Sequence, residues 1–406
     1  MNDFEKKLSS NIWKYTLILV ANKRVFVAIF GAYYLTIPGV LAKEIGLILL
    51  VGNMCGFLFE IPSGYASDKF GHRQTLIFAR IAVLLSTVVF LFAEDLFWVC
   101  VASALLSLGQ AFQSGTGSAF MHETLRDLGR EKEYTQVMGK SSSIGFAIPA
   151  VLMTLVPFLV SWSMRGPFVV GLVMDIIGLW ASLALVAPRV SQDHIEEVSK
   201  TNFVQVLKEG YHAGFFRFAL FSGLTSGILM AVGSFRAVYQ TDLGVPIIYF
   251  GIFFGTGRAI ASVMLAYSGK MKTFLNAKRF YFAQFILYAF MIACLGVTRE
   301  LWVIVLLFVV SNAFTWGLSQ LDAGYMLDTI RTSKWKATLL SVSSQIDSIF
   351  SAAACYGLGL AIGYLSYRGG FLILTLCYIA LGIPLLLYLV RYDRRESGGT
   401  PQTQMS

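Results

Sequence analysis

Charge is what this sequence has least of. Of its 406 residues, 14% are Asp, Glu, Lys or Arg, against roughly 25% in a soluble globular protein. Hydrophobic residues make up 56%, so water is the wrong solvent for most of the chain. The nine prolines and 37 glycines exclude a collagen-like or disordered chain. Cysteines are few: Cys55, Cys100, Cys294, Cys355 and Cys377 all lie inside apolar runs. They form no C-x-x-C pair and no His/Cys cluster, so they read as small core residues and imply no metal. The four histidines, His72, His122, His194 and His212, fall in or near expected loops, which argues against histidine coupling inside the membrane. No Walker A sequence appears, and no clustered His/Asp/Glu or Ser/Lys constellation that a membrane enzyme would need. No cofactor is expected. The polar start, MNDFEKKLSS, leads into no cleavage signature, so a removed signal peptide is not expected.

What is present is a series of apolar runs. A helix crossing the hydrocarbon core needs about 20 mostly apolar residues. With that ruler the first half gives spans at 12–38, 44–65, 74–93, 96–120, 141–161 and 167–188. The second half gives 214–238, 246–268, 279–298, 301–326, 337–364 and 369–390. The first span carries Lys23 and Arg24 within it, so an alternative start at Val25 stays open, with 12–22 as an interfacial lead. The expected organisation is a bundle over 1–188, a cytoplasmic linker over 189–213, a second bundle over 214–391 and a disordered tail over 392–406.

Net charge is +9, and its placement along the chain explains it. With both ends placed inside, the cytoplasmic segments carry Lys6, Lys7, Lys69, Arg73, Arg126, Arg130, Lys132, Lys140 and a long set in the second half. The outer loops hold only Lys43, Arg165, Arg299 and Arg368. This asymmetry sets the topology by the positive-inside rule, so the basic charge needs no nucleic acid.

The turn after the second span reads FEIPSGYASDKFGHRQTL (59–76). Gly64, Asp68, Lys69, Gly71 and Arg73 make it a tight reversal in which a carboxylate can pair with a neighbour or with a helix N-terminus. This segment resembles the loop 2–3 signature of the major facilitator superfamily, G-x-x-x-D-[RK]-x-G-[RK]-[RK], with His72 at one basic position. The preceding Glu60–Gly64 is similar to the E-x-P-[ST]-G variant of bacterial members. Stretches 114–134, 239–251 and 336–345 are also similar to that group, so the resemblance spans both halves. It departs in three places. Ala111 stands where a fourth-span arginine is common, the fifth span lacks a contiguous G-P-x-x-G-G, and the 8–9 loop keeps Gly269 but no aspartate.

The resemblance implies an all-α integral membrane fold of twelve helices in two six-helix bundles. It also implies rocking about a central site, with Gly64, Asp68, Lys69, Gly71 and Arg73 as gating residues. By the same resemblance the chain is expected to act as a monomer in the lipid bilayer of a bacterial inner membrane. Ionisable residues at helix centres are costly and should face a cavity or a partner. Depth along the spans places Lys23, Arg24, Asp175, Arg258 and Asp347 near the midplane. Arg24 and Arg258, with the neutral Asn53, Gln113 and Asn312, are the candidate solute contacts. Two guanidinium groups suit an anionic or zwitterionic solute; the alternative is that they pair internally with Asp347. Asp347 and Glu60 are the candidate coupling groups, since a buried carboxyl that loses its cation can take up a proton. Glu60 and Arg80 are expected to form a salt bridge, and Asp175 has no assigned partner. The expected activity is secondary transport of a small solute coupled to protons or another ion. The rivals are an uncoupled facilitator, a hydrophobic-drug exporter, and a membrane receptor or scaffold.

Overall fold

The computed structural model describes residues 3–114, 116–130, 133–188, 208, 210–212, 214–267, 271–272, 274–328 and 336–396. Of the expected disordered tail, 392–396 continue the last helix, and the rest, from 397 onward, falls with most of the expected linker outside the described residues. So do some side chains within helices, Asp68 among them.

No strand occurs among the described residues. In chain order the first part comprises α1 (Asp3–Ser9), α2 (Asn11–Ala21), α3 (Phe30–Tyr34), α4 (Ala42–Phe70) and α5 (His72–Phe92). It continues with α6 (Leu96–Gln113), α7 (Thr116–Asp127), α8 (Tyr134–Leu155) and α9 (Gly166–Leu183). The later part comprises α10 (Phe215–Asp242), α11 (Phe250–Ala266), α12 (Ala277–Val297) and α13 (Leu301–Gly317). It ends with α14 (Ser319–Asp328), α15 (Lys336–Tyr364) and α16 (Tyr367–Glu396). Among the described residues, ten helical segments are long and apolar enough to cross a membrane, and α13 is a shorter apolar helix.

Three of the expected spans are interrupted, the first of them where polar residues enter the apolar run. The expected first span is broken: α2 stops at Ala21, turns occupy 22–29, and α3 follows. Lys23 and Arg24 sit in that break, and the Asn22 N–H closes the end of α2 on the Ile18 carbonyl. The fourth and tenth expected spans also divide, into α6 and α7 and into α13 and α14. These are corresponding members of the two halves, in the manner of a repeated architecture. Pro157 turns the end of the fifth span into a 3-10 segment, Val156–Ser161.

Two compact units emerge, one of Met1–Thr201 with Ser234–Thr256 and the other of Asn202–Gly233 with Gly257–Ser406. In the first, α5 packs on α6 and α9, α4 packs on α6, and α2 packs on α8 and α9. Its interior includes Tyr15, Ile18, Leu76, Phe120, Met121 and Leu125. A second cluster encloses α3: Phe26 stacks on Phe168 at 4.4 Å, and Phe30 meets Phe90 edge-on at 4.9 Å. Tyr33 and Tyr34 are buried in this cluster, and the Tyr33 hydroxyl donates to the Phe90 carbonyl. In the second unit α16 packs on α12 and α15, with Phe221, Phe285 and Tyr378 inside. Large apolar side chains such as Leu58, Phe92, Val173, Phe290, Trp302 and Leu376 point outward. Acyl chains can cover such a surface, while the helices satisfy their own backbone polar groups.

Candidate functional site

The first unit buries a three-charge cluster where the break after α2 meets α5 and α9. Residues 171, 175 and 178 of α9 fall on one face, four and three residues apart. Gly171 and Gly178 keep that face flat on either side of Asp175. A Cβ at Gly171 would collide with the Phe26 ring. One at Gly178 would collide with Arg80 Nη2 and stand 2.7 Å from the Ala21 methyl. Into this slot Arg24 reaches with both terminal nitrogens, Nη1 to Asp175 Oδ2 at 2.8 Å and Nη2 to Oδ1 at 2.7 Å. Arg80 Nη2 donates to Oδ1 at 3.0 Å, and Thr87 Oγ1 donates to Oδ2 at 2.6 Å. Arg24 Nη2 also reaches the Ala21 carbonyl at 3.1 Å, one of the orphan acceptors at the end of α2. Asp175 and Arg80 are wholly buried and Arg24 is 8% exposed.

Arg24 therefore faces an internal carboxylate in this structure. Its partner within the first unit is Asp175. The expected Glu60–Arg80 bridge is not formed either. Arg80 serves Asp175, while Glu60, half-buried on α4, accepts from Ser114 Oγ at 3.3 Å.

The signature turn is held by the end of α9. Gly71 joins α4 to α5 at φ 92° and ψ 144°, a region essentially restricted to glycine. Arg73 then donates through Nε to the Leu185 carbonyl at 2.7 Å and through Nη2 to the Leu183 carbonyl at 2.8 Å. Lys14 Nζ reaches the Ala184 carbonyl at 2.7 Å, and Asn11 exchanges two hydrogen bonds with the Val186 backbone at 2.8 and 2.9 Å. Cations at a helix C-terminus complement its dipole and its unpaired carbonyls. His72 Nδ1 lies 2.6 Å from Ser67 Oγ, and its Nε2 lies 3.4 Å from Glu123. Lys69 stands over the rings of Tyr65 and Phe70, 5.6 Å from each. Gly64 has nothing within 4 Å of the place its Cβ would take, and the Asp68 side chain is outside the described set.

The second unit holds a polar cavity of about 300 Å³. Ser222 and Thr225 come from α10, Gln284 and Tyr288 from α12, Thr315 from α13, Asp322 from α14, and Asp347 from α15. Ser222 Oγ donates to Asp322 Oδ2, and Thr225 and Tyr378 share a hydroxyl contact at 3.2 Å. Asp347 lies against α10 where Gly223 leaves room, its Oδ1 being 3.0 Å from where a Cβ would stand. Arg258 of α11 stacks over Trp316 of α13 at 4.0 Å. One residue earlier, Gly257 lets Asn312 approach, a Cβ there being 2.7 Å from Asn312 Nδ2. Arg258 and Asn312 thus share the α11–α13 seam. In the first unit Asn53 is half-buried on α4, and Gln113 is buried at the end of α6. The sequence missed Asp322 and Gln284 as cavity residues, because depth alone does not reveal which helix faces meet. It also missed the Arg24–Asp175 pair, although the Gly-x3-Asp-x2-Gly spacing of α9 was a usable signal.

A sequence profile described as Major Facilitator Superfamily matches residues 15–334. The chain belongs to the Major Facilitator Superfamily. Among curated relatives, an uncharacterized transporter of Buchnera aphidicola subsp. Schizaphis graminum is 23% identical over 47% of this chain and 48% of its own. The uncharacterized MFS-type transporter YxaM of Bacillus subtilis is 20% identical over 55% of this chain and 56% of its own. The inner membrane transport protein YajR of Escherichia coli is 32% identical over 30% and 27%. The chain spans about half the length of the first two curated relatives it matches, and less of the third. In fold, this superfamily member superposes on the nucleoside transporter NupG with TM-score 0.72 and 10% identity, covering 95% of this chain and 99% of that one. A bacterial homolog of the human lysosomal transporter Spinster, inward-facing and unoccupied, gives TM-score 0.73 and 13% identity over 97% and 98%. These likenesses establish a multi-pass membrane fold of superfamily type.

Proposed function

We propose that this chain is a secondary transporter that moves a small polar solute across a bacterial inner membrane by alternating access, with both termini cytoplasmic. The observation that carries the reading is the cavity that serine, threonine, glutamine and aspartate side chains line between α10, α12, α13, α14 and α15. Polar groups inside apolar helices cost free energy and are kept where a pathway needs them. The curated relatives carry transporter names, and of the two solved structures one is a nucleoside transporter and the other a homolog of a lysosomal transporter. Arg258 and Asn312 on their shared seam, with Asn53 and Gln113, are the proposed solute contacts. Arg24 leaves that set, because its guanidinium is spent on Asp175.

Asp347 and Glu60 are the proposed coupling groups, and a proton is the proposed ion. Moving one charge across 100 mV supplies about 2.3 kcal/mol, enough for a roughly fifty-fold solute gradient. Gly64, Asp68, Lys69, Gly71 and Arg73 are proposed to gate the cytoplasmic side, as the superfamily signature implies.

Reconstitution into proteoliposomes tests this. An imposed proton gradient should drive accumulation of at least one solute from a panel of cationic, zwitterionic, anionic and neutral metabolites, and a protonophore should abolish it. Uptake that a protonophore leaves untouched would make the protein a facilitator. Movement of no solute would remove the transport reading.

A further inference from the structure

The cavity of the second unit has an uneven chemistry. It is lined by two carboxylates and several hydroxyls, and by no lysine, arginine or histidine among the described residues. Two of its acceptor oxygens are buried without a protein donor, Asp347 Oδ1 and Gln284 Oε1, while the Asp322 carboxylate faces the hydroxyls of Ser222 and Tyr281. Gln284 is 8% exposed. A buried acceptor left unpaired is costly, the more so when it is charged, and two carboxylates with no cation beside them in the lining favour an occupant that supplies both N–H donors and positive charge. Size narrows the choice. A water takes about 30 Å³ of liquid, so a bare metal ion would leave most of the roughly 300 Å³ unfilled, whereas small-molecule pockets begin near that volume.

We propose that this cavity, built wholly within the second unit, binds a small organic cation through a protonated amine held by Asp322, Asp347 and the Gln284 carbonyl. The hydroxyls of Ser222 and Tyr281 hold the Asp322 carboxylate in place, and its negative charge still faces the cavity. Asp347 is seated against Gly223, and the cavity lining brings no lysine, arginine or histidine to its carboxylate among the described residues. This deepens the transport reading by naming the charge class of the solute, and it rests on that reading only for the claim that the bound species is carried across.

The test is calorimetric titration of the full chain, purified in detergent, with 1,4-diaminobutane. Binding is expected in the wild type. It should weaken at least tenfold in Asp347→Asn and several-fold in Gln284→Leu, two variants in separate helices whose unliganded melting temperatures show whether each is folded. Tetramethylammonium, which carries the charge but no N–H, should bind at least tenfold more weakly than the diamine. The proposal is overturned if sodium chloride at matched ionic strength abolishes the diamine signal by filling the site. It is also overturned if succinate binds as well as the diamine, or if a folded Asp347→Asn keeps wild-type affinity. Because binding is read without flux, a null result in proteoliposomes removes transport and leaves this result standing.

Discussion

Asp175 holds one negative charge between two guanidinium groups, and its removal is not a symmetric loss. In Asp175→Asn, Arg24 and Arg80 would face each other in the interior with no counter-charge. Breaking a buried ion pair from one side costs about 3–5 kcal/mol. The expected outcome is a large fall in melting temperature in detergent and in the yield of folded protein. Arg24→Gln should also destabilise, and it should impair transport of every solute alike, whatever the solute's charge. A selective loss for anions, measured as uptake of paired anionic and neutral substrates, would return Arg24 to the solute path. The flat face of α9 makes a second prediction at the same scale. Gly178→Ala puts a methyl onto Arg80 Nη2 and the Ala21 side chain. Overpacking of this kind costs about 1–3 kcal/mol, whereas the same change at Gly64, which meets nothing, should leave the melting temperature unchanged.

At the scale of elements, the reversal between α4 and α5 rests on Gly71. Its φ of 92° with ψ near 144° places a side chain in a region that costs about 1–3 kcal/mol. Gly71→Ala should lower thermal stability by that order and slow transport more than binding, as seen by comparing turnover with calorimetric affinity. The helices themselves were legible in sequence because apolar length decides whether a run can cross lipid, and the runs fall on the observed helices. The breaks were legible only in part. Lys23 and Arg24 flagged the first, but nothing local marks Ser114 or Leu318, where α6 and α13 end. The site was less legible for a physical reason. Depth follows from counting residues, while the pairing of Arg24 with Asp175 depends on which faces of α5 and α9 meet the broken first span, and on where Gly171 and Gly178 let them close. Glu60 and Arg80 lie at similar depth on successive spans, yet they have different partners.

For the whole molecule, the basic residues fix orientation if the positive-inside rule governs this chain. Lys140 begins the fifth expected span on the side rich in lysine and arginine, whereas Arg165 and Arg299 stand alone at the opposite ends of their helices. Both arginines are exposed in the structure, so a cysteine at either place would be open to reagent. In a background free of Cys55, Cys100, Cys294, Cys355 and Cys377, Arg165→Cys and Arg299→Cys should react with an impermeant maleimide on intact cells. Lys140→Cys should react only after the membrane is permeabilised. The pair of outer positions matters, because one belongs to each half of the chain and an odd number of crossings between them would put them on opposite sides. Labelling of Arg165→Cys without Arg299→Cys would mean an odd number of crossings between them, and α9, α10, α11 and α12 would be the places to look. Labelling of Lys140→Cys alone on intact cells would invert the whole chain, moving the signature turn and the end of α9 that it grips to the outer face.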